Sequence, residues 1–151
     1  MPRPPFGQRG PSGTGATAAL AELRRRSRDT RAGFEAVLDT AETEFRPIAQ
    51  RFLGLHTAHI AALDAILAAR GVDPEPGDSI TARLNRAAVR SRAIFEPVDA
   101  RILERVRNGE RHVMEAFDAV LATDLSDSER DRIAGMRAGL DRLMAMVAQC
   151  G

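Results

Sequence analysis

"FLGLHTAHIAALDAIL", residues 52–67, decides the fold. Its apolar residues recur at three- and four-residue steps and never alternate, which is the mark of a helix with one buried face. Extended by Ile48, the stripe runs Ile48, Phe52, Leu55, His59, Leu63 and Ile66. Two histidines, His56 and His59, sit three residues apart in its middle. Inside a helical bundle such imidazoles are either metal ligands or core side chains, and that choice governs the functional reading.

The same period continues on both sides. Upstream, Leu20, Leu23, Ser27, Thr30, Phe34, Val37, Leu38 and Ala41 share one helix face, and a short connection near Thr43 leads to Pro47, suited to a helix's first turn. Downstream, Gly71 with Pro74 and Pro76 ends the helix. Ser79 can cap a shorter helix carrying Ile80, Leu84, Ala87, Ala88 and Ile94. Pro97 opens a further long helix with Val98, Ile102, Val106, Gly109, Val113, Phe117, Val120 and Leu121. "SDSE", Ser126 to Glu129, has capping-box spacing for a last helix striped by Ile133, Met136, Leu140, Leu143 and Val147. No strand is predicted. Residues 1–16 are rich in Pro, Gly, Ser and Thr and read as a disordered tail, leaving residues 17–150 as one domain. The "GPSGTG" in that tail follows no strand and lacks a Lys-Ser/Thr pair, so it is not a phosphate loop.

A helix cannot bury its apolar stripe alone, so four long helices predict an all-α four-helix bundle, with the extra short helix in the central connection. Composition agrees. The chain has 151 residues, 44% hydrophobic, with six Phe and no Trp or Tyr, so Leu, Ile, Val, Met and Ala must build the core. A net charge of +1 opposes bulk attraction to nucleic acid or anionic lipid. Every one of the 22 basic residues is Arg, which removes Lys Schiff-base and general-base chemistry. The single Cys150 cannot form an internal disulfide. No segment approaches ~18 uninterrupted apolar residues and no signal peptide is apparent, so the expectation is a cytoplasmic protein without a membrane partner.

Three stretches carry a resemblance. "LAELRRRSRDTRAGF" (20–34), "GVDPEPGDSITARLNR" (71–86) and "ERVRNGERHVMEAF" (104–117) together resemble an uncharacterised bacterial family of ferritin-like four-helix bundles. The likeness, over about residues 20–145, implies a ferritin-like fold; it implies no known activity.

Metal-active ferritin-like bundles use one Glu from each of two helices and Glu-x-x-His from the other two, since residues three apart share a face. This sequence has no Glu-x-x-His, and Leu140 stands where the resemblance leads one to expect a His. The six-ligand di-iron site therefore does not assemble. A smaller site is conceivable from His56, His59, His112 and Glu115, with Glu110 and Glu35 as further acceptors, and would suit iron or zinc. Against it, His59 falls on the core stripe while His56 and His112 border it, where a neighbouring carboxylate or carbonyl commonly satisfies an imidazole.

"RRRSRDTR" places five Arg on the first helix, and Arg83, Arg86, Arg90 and Arg92 decorate the short one. They could hold phosphate, but no Tyr or Trp platforms accompany them, and a solvated face is the simpler reading. No Ser-His-Asp or Cys-His arrangement is present, so the reading leans towards a non-enzyme. The sequence thus predicts a ferritin-like bundle without a cofactor, structural or stress-associated and homo-oligomeric. "Stress-associated" rests on the resemblance alone. The alternative is an iron- or zinc-binding oxidoreductase-type bundle, and a second alternative is anion or nucleic-acid binding through the Arg-rich helices.

Overall fold

Several of the apolar stripes begin or end at a local signal in the sequence. In a computed structural model, which describes residues 6–40, 45–73 and 100–149 (side chains 15–39, 45–73 and 103–149), four helices are present. They are α1 (Phe6–Thr40), α2 (Arg46–Ala69), α3 (Ala100–Leu121) and α4 (Asp127–Ala148), and no strand occurs among the described residues. Pro47 lies in the first turn of α2. Gly71 closes α2 at φ 86°, a conformation that costs a side chain dearly. Its N–H bonds the Ala68 carbonyl and that of Val72 the Leu67 carbonyl, a Schellman closure with Val72 and Leu67 in the same apolar cluster. At the start of α4 the capping box is complete, with Glu129 N–H donating to Ser126 Oγ at 3.1 Å and Ser126 N–H donating to Glu129 Oε1 at 3.0 Å.

Helix α1 starts at Phe6, inside the stretch expected to be a tail. Within it Ala16 is fully buried. Once a buried turn exists, helix can propagate upstream into a weak sequence at little cost per residue, although Pro11 supplies no N–H to the ladder. The expected short helix around 79–94, Pro97 and the Arg83–Arg92 group lie outside the described residues.

Side-chain pairs fix the helix directions. Thr17 meets Arg70, Arg24 meets Asp64 and Phe34 stacks on Phe52, so α1 and α2 are antiparallel. Arg70 with Glu129, and Arg51 with Met146, make α2 and α4 antiparallel. Arg130 with Thr123, and Arg137 with Asp118, do the same for α3 and α4. It follows that α2 and α3 are parallel. Around the bundle, α1 packs on α2 and α3, and α4 packs on α3 and α2, leaving α1–α4 and α2–α3 as diagonals. Two parallel helices in succession oblige the chain after α2 to regain the end it left, so their connection is long.

The core is aliphatic with a few rings. Leu20, Leu23, Phe34, Phe45, Phe52, Leu63, Leu67, Val113, Phe117, Val120, Ile133 and Leu140 are buried in one cluster. Among the described residues five polar or charged ones join them: Arg24, Ser27, His56, His59 and Glu110. They lie on α1, α2 and α3, and they define the site.

Candidate functional site

The site grows from the register of α2 against α3. These helices are diagonal, so only side chains that reach the bundle axis can meet. His56 Nε2 and Glu110 Oε1 do so, 2.7 Å apart, with both side chains fully buried. An unprotonated ring nitrogen and a carboxylate oxygen both only accept, so a contact this short holds one proton between them. Among the described residues Glu110 is the one buried acid.

Aromatic rings pack against the imidazole of this pair. Phe34 and Phe52 stack with centroids 4.9 Å apart, and the His56 ring lies 6.1 Å from Phe34 and 6.5 Å from Phe52. His59 stands edge-on between His56 at 6.3 Å and Phe117 at 5.7 Å. Burial first, and then the neighbouring His56, pushes the His59 imidazole down from 6.5 to about 4. His59 is therefore neutral at neutral pH. Four side-chain atoms at this level are buried with no hydrogen-bond partner: Ser27 Oγ, His56 Nδ1, His59 Nδ1 and Glu110 Oε2.

The six residues suggested as ligands divide into two groups. His56, His59 and Glu110 are buried at the axis. His112, expected at a stripe border, is 69% exposed and lies 3.8 Å from the equally solvated Glu115. Glu35 sits 3.9 Å from Arg31 at the edge of α1. The reason is angular. Two residues along a helix turn the side chain about 200°, so Glu110 facing the axis sends His112 outwards. His56 likewise moves from the expected border to full burial, because the buried strip of α2 also takes in Ala49, Ile60 and Leu67. Among the described residues no three His, Cys, Asp or Glu side chains group as a metal would need.

Arg24 and Ser27 escaped the sequence reading as site residues. Arg24 belongs to a run whose simplest reading is a solvated face, yet it is 2% exposed and donates from Nη1 to Asp64 at 3.0 Å. The signal was available in Asp64, a lone acid in the apolar run "AALDAILAA", which needed a cation. The rest of the Arg run is also matched: Arg25 and Arg26 with Glu22, Arg25 with Asp29, Arg28 with Asp64 at 3.7 Å, and Arg31 with Glu35. Arg25 and Arg26 together hold the Glu22 carboxyl down to about 2.

A family model described as Domain of unknown function (DUF2383) matches residues 15–123. The chain belongs to that family. The DUF2383 match covers more than two thirds of the chain and takes in Ser27, His56, His59, Glu110 and Phe117, so the whole polar centre lies within the family's domain. It ends before α4, which contributes Ile133, Leu140 and Val147 to the same core. No curated protein and no solved structure matches the chain.

Proposed function

We propose that this DUF2383 chain is a non-enzymatic, ferritin-like bundle with a degenerate metal centre, working as a structural or stress-associated homo-oligomer in the cytoplasm. The observation that carries the reading is the His56–Glu110 contact. One oxygen of the buried carboxylate is committed to an imidazole, and two phenyl rings stack against that imidazole. The helix order supports the ferritin-like part, since parallel α2 and α3 joined by a long connection are what that architecture requires. Full burial also denies a substrate access to the dyad, which favours a structural role over a catalytic one.

A second reading, an iron- or zinc-binding oxidoreductase-type bundle, is favoured by one specific observation: the unpartnered Nδ1 atoms of His56 and His59. A hydrogen bond from the other ring nitrogen to a carboxylate is how proteins orient metal-ligating imidazoles. Anion or nucleic-acid binding through α1 is disfavoured by the carboxylate beside every Arg of "RRRSRDTR".

Elemental mass spectrometry separates the first two readings. Tag-free protein is loaded with iron and zinc, dialysed extensively and quantified by peptide absorbance. The structural reading expects far less than one ion per chain. About one ion or more, lost in His56→Ala/His59→Ala, would replace it with the metal-binding reading.

A further inference from the structure

The four unpartnered atoms at the bundle centre come from three helices and from one level of the fold. Ser27 Oγ belongs to α1, His56 Nδ1 and His59 Nδ1 to α2, and Glu110 Oε2 to α3. His56 bonds Glu110 directly, and His59 lies against the His56 ring. Arg26 donates to the His112 carbonyl at 2.8 Å, which puts the turn carrying Ser27 beside the turn carrying Glu110. A serine inside a helix ordinarily returns its hydroxyl to a carbonyl of the preceding turn, as Thr57 does to Leu53 at 2.7 Å. Ser27 does not, although it is fully buried.

Buried polar atoms in folded proteins are satisfied by protein, water or an ion, so four orphans on neighbouring turns of three helices call for partners. A cation fits this set poorly. It needs three or more converging lone pairs, and the described residues offer no such group. The first oxygen of Glu110 and the first nitrogen of His56 are already joined through a proton. The remaining atoms are of mixed character: a hydroxyl that donates and accepts, a carboxyl oxygen that accepts, and ring nitrogens whose role follows the tautomer. A partner must therefore both donate and accept, be small, and make two to four bonds. Water has those properties.

We infer that the centre of the bundle is a hydration site, in which one or more ordered water molecules link Ser27 Oγ and Glu110 Oε2 to the free nitrogens of His56 and His59. This deepens the proposed function and rests on it: water takes the place that an ion would hold in a metal-active bundle.

The test is a crystal structure of the full chain at a resolution that shows ordered solvent, with anomalous data at the iron and zinc edges. Water-to-imidazole magnetisation transfer in solution provides a second measurement. The expected result is density without anomalous signal, about 2.7–3.2 Å from at least two of the four atoms, with a water cross-peak at His59. A dry centre, with the four atoms paired to protein groups and no cross-peak, overturns the hydration site and leaves the structural reading intact. Anomalous density on the imidazoles overturns both.

Discussion

His56 and Glu110 touch at 2.7 Å although their helices are diagonal partners. Their contact crosses the bundle axis, where neither side chain can turn to solvent, so each depends on the other. Removing one leaves a buried polar group alone, which costs more than the pair contributes. Glu110→Leu or His56→Leu is expected to lower unfolding free energy by about 3 kcal/mol. His56→Leu/Glu110→Leu should lose much less than the two single changes summed. Urea titration followed by circular dichroism gives the cycle; full additivity would mean that the two groups are independent.

Acid should weaken the fold in two separable stages. For His59 the unfolded value is 6.5 and the folded value about 4. Above pH 6.5 neither state takes up a proton at this site. Between 6.5 and 4 the unfolded chain binds a proton that the folded chain refuses, so stability falls as pH falls, and below 4 the loss levels off. The total is on the order of 3 kcal/mol. His59→Leu should flatten stability over that window, and an unchanged slope there would remove His59 as its source.

Glu129 contributes to the second stage, its carboxyl being held down to about 2, first by Arg70 and then by Ser126. Its contribution is present above the ordinary 4.5 and is lost as pH falls towards 2. Arg70 grips it through two bonds of 2.8 Å and also reaches Thr17 at 3.2 Å, so one guanidinium ties α1, α2 and α4 together at one end of the bundle. Glu129→Ala should cost about 2 kcal/mol, and Arg70→Ala less, because only the first also removes the capping box. Thermal melts of the two variants at neutral pH test the order.

Within "RRRSRDTR" neighbouring arginines should behave differently. Arg24 is 2% exposed against Asp64, whereas Arg25 is more than half exposed between Glu22 and Asp29. Arg24→Ala is expected to cost about 3 kcal/mol and Arg25→Ala about 0.5 kcal/mol or less. Equal effects in denaturant titrations would contradict the burial of Arg24.

Helix boundaries were the most legible part of the chain. They depend on chemistry within a few residues: Pro47 for a first turn, Gly71 for positive φ, and Ser126 with Glu129 for a cap. The start of α1 was not legible, because Ala16 is buried and Thr17 meets Arg70 far along the chain, and the helix then extends upstream.

Which polar residues enter the core was decided only by tertiary structure. Sequence alone established four amphipathic helices, the all-α class and a set of histidines and acids near mid-helix. It could not fix the rotation of each helix about its own axis. A turn of 100° per residue separates the axis from solvent, so a modest rotation buries Glu110 and exposes His112, two positions away. That rotation is set by how α2 and α3 pack across the axis, and it makes His56 a core partner of Glu110 while leaving His112 and Glu115 at the surface.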